Sequence, residues 1–227
     1  MPRRVLYLVH RFPCPPDKGD RIRAFHIIRF LAERCDLHVA ALADEPVSDE
    51  ARRELSRRCA RLHVSSVSRW GRWPRAALSA ALGRTISEGA FASNELRSVI
   101  RQWAGERPFD GVIASASSMT PYLRLPELRG ARTVVDLVDV DSEKWLQYAA
   151  ESRGPRRRLY AWEGRRLREL EQRLLNWVDA VTLVSSEEAR LYRDVCSLQT
   201  AGRNGPSPPR RGVVRAITNG VDLEYFR

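Results

Sequence analysis

Four acidic side chains lie within eight residues, from Asp136 to Glu143, directly beside an apolar run. They include a D-x-D pair, Asp139 and Asp141. Such carboxylates can hold a divalent cation or act on a substrate, or one can cap a helix while the others are solvated. If the backbone stays extended, alternation points Asp136 away from its apolar neighbours and places the pair on one side. Ser142 is then predicted to cap the helix after it.

A second polar segment, residues 10–21, follows the first apolar run of the chain. It begins at His10 and brings Lys18, Gly19, Asp20 and Arg21 to the predicted start of a helix. Backbone N–H groups and the helix dipole at such a position favour anionic groups such as phosphates. The segment has one glycine, so it is neither a Walker loop nor a dinucleotide fingerprint. An ordinary strand-to-helix turn is the alternative interpretation.

The elements that position these residues are read from apolar periodicity. Short apolar runs alternate with amphipathic stretches, a pattern typical of βα units around a parallel sheet. We therefore predict an α/β fold with a Rossmann-like, doubly wound parallel sheet. Its seven predicted strands are Val5 to Val9, Leu37 to Leu42, Arg61 to Val67, Gly111 to Ala114, Thr133 to Val138, Ala180 to Val184 and Val213 to Ile217.

Four helices are predicted from the same periodicity. The first follows Asp20 as its N-cap, the second begins near Ser93, and the third, residues 156–177, buries Leu159 among its inward positions. The fourth begins at a capping box formed by Ser185 and Glu188. Glycines, prolines and arginines predict an exposed irregular loop over residues 197–212.

Composition limits the possible partners. The chain of 227 residues has a net charge of +11 and a pI near 10.3, and all but two of its 39 basic residues are arginines spread along the sequence. No nucleic-acid-binding signature accompanies this charge, so we do not expect nucleic acid as a partner. The four cysteines form no C-x-x-C pair, and the four histidines have no zinc-helix spacing. We expect no metal and no cofactor.

The last residues of the chain carry a family resemblance. Residues 218–226, T-N-G-V-D-L-E-Y-F, resemble the P-N-G-V-D-x-x-x-F segment that closes the N-terminal domain of family 4 glycosyltransferases. Residues 15–23, P-P-D-K-G-D-R-I-R, and residues 138–145, V-D-V-D-S-E-K-W, look like strings of one branch of that family. This branch comprises the sugar transferases associated with exosortase (PEP-CTERM) and exopolysaccharide systems. The resemblance covers essentially the whole chain.

The resemblance implies one half of a GT-B fold, in which two Rossmann-like domains face each other across a cleft. Residues 1–217 would be the N-terminal, acceptor-side domain, residues 218–227 would begin the interdomain linker, and the C-terminal donor-binding domain would be absent. Asp139 and Asp141 would be the catalytic residues, contacting the acceptor or the reacting sugar. The implied substrate-binding residues are His10, Lys18, Gly19, Asp20, Arg21, Ser115, Ser117, Asn219 and Gly220.

The resemblance also implies an activity. It would be a metal-independent, retaining transfer of sugar from a nucleotide-sugar donor to a glycan or lipid-linked acceptor, in surface polysaccharide biosynthesis. The family's E-x7-E element belongs to the second domain, so we expect the isolated chain to be inactive. The D-x-D pair loosely resembles metal-dependent glycosyltransferases of the other major fold, whose strand context is not present here. The alternative function is a non-catalytic α/β module that binds a carbohydrate or a protein partner.

One further segment, residues 68–84, bears on location because it interleaves tryptophans and arginines before a small apolar helix. Such a pattern suits an anionic membrane surface. The alternative is a segment packed on the domain, with arginines that extend along it to water. No apolar run approaches the roughly 20 residues that span a bilayer. We expect a cytoplasmic protein that is soluble or peripheral on the inner face of the plasma membrane.

Overall fold

The computed structural model describes residues 2–67, 69–201 and 212–219 of the chain. Its strands form one parallel sheet with the order β3-β2-β1-β4-β5-β6-β7. Alternating β and α segments of the sequence produce this arrangement because each parallel connection must cross back over a sheet face. The strands are β1 (Arg4–Val9), β2 (Asp36–Ala43), β3 (Arg61–Ser66), β4 (Gly111–Ser115), β5 (Arg132–Val138), β6 (Ala180–Leu183) and β7 (Val213–Ala216).

Helices connect these strands, and several of them lie beyond the carboxyl ends of the sheet. The α-helices are α1 (Gly19–Ala32), α2 (Asp49–Ser56), α3 (Arg69–Ala81), α4 (Ile86–Ala90), α5 (Asn94–Glu106), α6 (Asp141–Glu151), α7 (Gly154–Leu174) and α8 (Ser186–Ala201). Two 3-10 helices, Ser117–Arg124 and Pro126–Leu128, join β4 to β5.

The predicted fold class is confirmed, and all seven predicted strands are present with each boundary within one residue of the prediction. The strands were recognisable because their apolar runs are buried on both faces of the sheet. In β1, Leu6 and Leu8 pack into the core on one side, whereas Tyr7 and Val9 pack against α1 on the other. Because successive side chains of a strand point to opposite faces, this one strand contributes residues to the hydrophobic cores on both sides of the sheet.

Helix boundaries were predicted less well. Asp20 is not the N-cap of α1, because that helix begins at Gly19 and Lys18 occupies the cap position. Ser142 is not a cap either, since it lies inside the first turn of α6. Helix α7 begins at Gly154, and Leu159, predicted to be buried, is 46% exposed.

The other two helix predictions fared differently. Ser93 does cap α5, because its hydroxyl accepts a hydrogen bond from the Leu96 N–H. Helix α8 continues to Ala201, so the first five residues of the predicted 197–212 loop are helical. Residues 202–211 of that prediction lie outside the described residues.

A buried ion pair joins helix α1 to the sheet. Arg23 of α1 donates two hydrogen bonds of 2.8 Å to the two carboxylate oxygens of Asp136 in the middle of β5. Both residues are less than a tenth exposed. Thr182 of β6 donates to the same carboxylate, and Arg23 also donates to the Ile217 carbonyl and to Asn219 Oδ1. The pair therefore ties α1 to β5, β6 and the segment after β7.

Removing one partner of this pair should destabilise the domain strongly. We expect Asp136→Asn to lower the free energy of unfolding by about 3–5 kcal/mol, because it leaves the Arg23 charge buried and uncompensated. The double variant R23M/D136L should lose less than the sum of its single variants. Urea unfolding followed by circular dichroism measures both. The surface control Glu33→Gln, which breaks an exposed pair with Arg34, should cost about 0–1 kcal/mol. Equal effects of D136N and E33Q would contradict this role.

Candidate functional site

The strand order reverses the direction of the connections at the middle of the sheet. Strands β1 and β4 are neighbours, but β1 connects onward towards β2 and β4 connects towards β5. The loops after these two strands therefore diverge, and in open α/β sheets ligands bind outside the carboxyl ends of the strands at such a point. Three polar side chains follow the strands around this point. They are His10 after β1, Ser117 after β4 and Asp141 after β5.

His10 and Asp20 form the first half of a polar cluster at this point. His10 Nε2 lies 3.4 Å from Asp20 Oδ2, and the hydrogen bond from His10 holds the pKa of that carboxyl well below its usual range. The imidazole also contacts the Phe91 ring edge to face, with 6.0 Å between centroids. Its other nitrogen, Nδ1, is buried and has no hydrogen-bond partner among the described residues. An imidazole that is oriented by a carboxylate is a suitable proton acceptor.

Ser117 and Asp141 form the second half, and we use the name polar cluster for these two residues together with His10 and Asp20. The Ser117 hydroxyl donates a 2.6 Å hydrogen bond to Asp141 Oδ2. Burial raises the pKa of Asp141, while that hydrogen bond and the nearby Lys144 and His10 act in the opposite direction. The two carboxyls of the cluster, Asp20 and Asp141, therefore have pKa values displaced in opposite senses. Such a pair can divide acid and base roles.

Two strained backbone positions flank the polar cluster. Ala116, before Ser117, has a φ of 75°, and Val138, at the end of β5, has a φ of 69°. Positive φ is rare for residues other than glycine and is a clear outlier for a β-branched side chain. Val138 is the centre of a turn in which the Asp139 N–H donates to the Leu137 carbonyl at 2.9 Å. Strain of this kind concentrates at functional sites.

The same turn changes the predicted relation of the two aspartates. The backbone stops being extended at Val138, so Asp139 and Asp141 are not placed side by side by strand alternation. Asp141 enters the polar cluster. Asp139 is half-buried, lies close enough to raise the pKa of Asp141, and has no side-chain hydrogen bond among the described residues. The catalytic assignment of both residues stays a prediction.

Carboxylates from other helices fix the turn that carries Asp141. Glu171 of α7 is fully buried and accepts hydrogen bonds from the Ser142 N–H and the Ser142 hydroxyl. Glu188 of α8 accepts a 2.8 Å hydrogen bond from the Val140 N–H. These carboxylates occupy N–H groups at the start of α6, which would otherwise attract an anion. Helix α6 therefore positions Asp141, and the N–H groups at its amino terminus are already bonded to Glu171 and Glu188.

Glu163, eight residues before Glu171 on α7, has a parallel role. Its carboxylate is also fully buried and accepts hydrogen bonds from the Ile86 N–H, at 2.6 Å, and from the Ser87 N–H and hydroxyl. Glu163 and Glu171 thus have E-x7-E spacing, but the structure assigns both to helix capping. One long helix holds the first turns of two helices, α4 and α6, beyond the carboxyl ends of the strands.

The predicted cations of the first loop are paired with carboxylates. Arg21 lies 3.1 Å from Asp17 and 2.6 Å from Glu45, and Lys18 lies 3.5 Å from Glu45. These ion pairs tie the loop after β1 to the loop after β2, and they neutralise charges that could have held a phosphate. Gly19 has a different environment, because a Cβ built on it would contact nothing within 4 Å.

The remaining predicted residues lie at different depths. Ser115 is buried in β4, in register with Val9 on one side and Asp136 on the other. Asn219 is exposed and accepts a hydrogen bond from Arg23, which brings it close to α1 and β5. Gly220 lies outside the described residues. The structure therefore gathers His10, Asp20, Ser117 and Asp141, and it leaves Ser115 beneath them.

Four supporting residues, Arg23, Thr182, Glu171 and Phe91, were not predicted from the sequence. Asp136 carried a usable signal, because an acidic residue inside an apolar strand requires a buried cation or donor. Arg23 sits beside the apolar stripe of α1 and could have been matched to it. Glu171 and Phe91 gave no comparable signal, since their roles depend on contacts between elements distant in sequence.

Neither a metal cluster nor a membrane-spanning helix is found within the described part of the chain. No group of three or more His, Cys, Asp or Glu side chains there is arranged to hold a metal ion. Among the same residues, no helix combines the length and apolar character needed to cross a membrane.

Comparison with known proteins identifies the architecture. No protein-family model and no curated protein matches the chain. The chain is similar in structure to UGT2 of Phytolacca americana, solved with UDP-2fluoro-glucose and pterostilbene, with a TM-score of 0.55 and 10% sequence identity over 98% of this chain and 55% of that one. It is equally similar to a UDP-glucosyltransferase from Polygonum tinctorium capable of glucosylating indoxyl, solved with 3,4-dichloroaniline. That match has a TM-score of 0.55 and 14% identity over 98% of this chain and 53% of that one.

The chain thus spans about half the length of these two enzymes. At such low identities the likeness concerns the fold. The seven-stranded Rossmann-like sheet has the fold of about half of a GT-B glycosyltransferase. The polar cluster lies at the carboxyl ends of its central strands, where α/β proteins bind ligands.

The carboxyl of Glu171 predicts a measurable pH dependence. Burial, the largest effect on this group, raises its pKa from 4.5 to about 8. A raised pKa means that the folded state binds the proton more tightly than the unfolded state. Stability from this group is therefore complete below pH 4.5 and is lost as the pH rises towards 8, by up to about 1.4 kcal/mol per pH unit.

Glu171→Gln should consequently flatten the stability profile between pH 5 and pH 8. The amide can still accept from the Ser142 N–H, so the fold is retained. Urea unfolding at several pH values measures the difference. The control Glu169→Gln, two residues away and half exposed beside Arg166, should keep the wild-type slope. Parallel profiles for E171Q and wild type would show that Glu171 is already ionised in the folded protein.

Proposed function

We propose that this chain is the acceptor-side, N-terminal domain of a glycosyltransferase that uses a nucleotide-sugar donor. The observation that carries the proposal is the polar cluster of His10, Asp20, Ser117 and Asp141 at the middle of a GT-B-like sheet. Its imidazole and carboxyls can bind and deprotonate a hydroxyl group. The solved relatives act on UDP-sugar donors or were solved with one, which supports a nucleotide sugar as the donor.

The chemistry divides between two domains. Transfer breaks the bond between the anomeric carbon and the diphosphate and joins that carbon to the acceptor oxygen on the same face of the sugar, which retains the configuration, and it releases the hydroxyl proton. In our proposal His10, oriented by Asp20, receives that proton, and Asp141 orients the acceptor hydroxyl. The leaving diphosphate needs cationic stabilisation. Lys18 and Arg21 are already paired with carboxylates, so this contribution is assigned to a second, donor-binding domain.

The finer assignment within glycosyltransferases rests on sequence resemblance. The strings at residues 15–23, 138–145 and 218–226 support a family 4 enzyme of the exosortase and exopolysaccharide branch. We accordingly propose transfer with retention of anomeric configuration to a glycan or lipid-linked acceptor, in the cytoplasm, during surface polysaccharide biosynthesis. Residues 218–227 would begin the linker to the donor-binding domain.

Substitutions in the polar cluster test the proposed function. In a protein that joins this chain to a donor-binding domain, H10A and D141N should each lower kcat by about 100-fold or more, because each removes a proton-transfer or orienting group. The rate of sugar transfer from UDP-sugars to an acceptor panel is the measurement. H26A replaces an exposed histidine on α1 and should leave the rate unchanged.

The product of the same assay tests the finer assignment. Proton NMR should show that the new glycosidic bond keeps the anomeric configuration of the donor, whereas an inverted product would contradict membership of family 4. The 227-residue chain alone should give no turnover. Full rates for both cluster variants would remove the catalytic roles proposed for His10 and Asp141, whereas no transfer by the complete wild-type protein would favour a binding module.

Membrane contact is proposed for α3, the helix formed by most of residues 68–84. Trp73 on this helix is 70% exposed, and Leu78 and Leu82 are exposed as well. An exposed tryptophan beside arginines suits the interface of an anionic bilayer. The segment is helical from Arg69 to Ala81, with Pro74 inside the helix.

Flotation with lipid vesicles tests membrane contact. The chain should float with vesicles that contain phosphatidylserine and remain behind with neutral phosphatidylcholine, and salt should weaken the association because surface charges are screened. W73S should reduce flotation about tenfold, since it removes a large apolar contact. Failure of wild type to float at low salt would end this proposal.

A further inference from the structure

A groove separate from the polar cluster opens between α3, α4 and α5. Its volume is about 440 Å³, within the range typical of ligand sites. Ser66 at the end of β3 and Pro121 in the 3-10 helix after β4 also line it, so the groove lies on the carboxyl side of the sheet.

One wall of the groove is apolar and open. Leu78 and Leu82 line it and are 62% and 63% exposed. Leu82 directly follows the last residue of α3, and its N–H donates to the Leu78 carbonyl at 3.0 Å, so the two leucines lie on one side of the helix end, together with Arg75 three residues before Leu78. Two exposed leucines side by side, next to a cavity, can receive an aliphatic chain.

The rim of the groove carries arginines without carboxylate partners. Arg75, Arg84 and Arg97 line the groove, and none forms an ion pair among the described residues. Arg75 Nε is buried without a hydrogen-bond partner there, and Arg97 contacts the Tyr122 ring and Asn94. Guanidinium groups placed in this way suit the oxygens of a phosphate.

The two acidic residues of the groove form no ion pair with these arginines among the described residues. The Glu88 carboxylate accepts hydrogen bonds from the Thr85 N–H and hydroxyl in the capping box of α4. Glu95 lies 3.2 Å from His63 on the other side. With three arginines and two glutamates in its lining, the groove keeps a net positive charge beside the apolar side chains of its wall.

The groove adjoins the polar cluster through Phe91. Ala92 and Ser93 line the groove, and the ring of the preceding residue, Phe91, contacts the His10 imidazole. The Tyr122 hydroxyl fixes this segment by donating to the Phe91 carbonyl and accepting from the Ser93 N–H, both at 2.8 Å. Phe91 would therefore stand between a molecule held in the groove and His10, the proposed proton acceptor.

We propose that this groove binds an amphipathic phosphate, with its head on Arg75, Arg84 and Arg97 and its aliphatic chain on Leu78 and Leu82. The proposal rests on the proposed function for its role, which is to anchor the acceptor beside His10. The binding site itself is defined by the groove residues alone.

Calorimetric titration of the 227-residue chain tests the site, with decyl phosphate below its micellar concentration as the probe. One decyl phosphate should bind per chain, about tenfold or more tighter than either inorganic phosphate or decanol. Only decyl phosphate contacts both the arginines of the rim and the leucines of the wall. R75Q/R84Q should weaken binding about tenfold. L78N/L82N should weaken decyl phosphate binding and leave inorganic phosphate unaffected, which a general loss of structure would not do.

A matched charge control separates the groove from the overall positive charge. R156Q/R157Q removes two exposed arginines at the start of α7, and binding should be unchanged. Equal weakening by both arginine double variants, or binding to anionic vesicles only and not to monomeric probe, would overturn the site.

The outcomes for site and function are distinguishable. Groove-dependent binding of decyl phosphate, without sugar transfer by the complete protein to any acceptor, would support the site and contradict the proposed function. Transfer that responds to H10A but not to the groove variants, with no binding of decyl phosphate, would overturn the groove and leave the function standing.

Discussion

The Arg23–Asp136 ion pair is the constraint on which the site depends. It buries a charge of each sign between α1 and the sheet, and five hydrogen bonds compensate them: two between the pair, one from Thr182, and two from Arg23 to the segment after β7. Since either charge alone would be costly in this environment, α1 cannot shift relative to β5. Asp20 and the loop that begins at His10 are fixed by the same helix.

The carboxyl end of β5 is where this rigidity becomes a site. Two residues after Asp136 the strand ends in a strained turn at Val138, and carboxylates from α7 and α8 hold the N–H groups beyond it. Asp141 is thereby directed at Ser117 and towards His10. Strain at Val138 and burial of Glu171 are tolerated because the surrounding hydrogen bonds leave the turn few alternatives.

How far the sequence could predict this arrangement depends on the range of the interactions. The strands were predictable because their apolar runs are local signals, and the order of polar loops after them brought His10, Ser117 and Asp141 to one edge. The start of α1 was missed because Asp20, a good capping residue, is recruited by His10 instead. The capping role predicted for Ser142 was wrong because Glu171, which is distant in sequence, accepts the hydrogen bond from the Ser142 N–H instead. The groove beneath Arg75 required the packing of three helices, which no local pattern specifies.

The most direct test of the acceptor-side assignment is an NMR titration of the labelled 227-residue chain with UDP-glucose in one series and alkyl glycosides in another. If this domain binds the acceptor, the glycosides should shift the amides around His10, Ser117 and Asp141 in a saturable manner. UDP-glucose should leave those amides unchanged. Saturable binding of UDP-glucose at these amides, with no response to any glycoside, would contradict the assignment of this domain to the acceptor side.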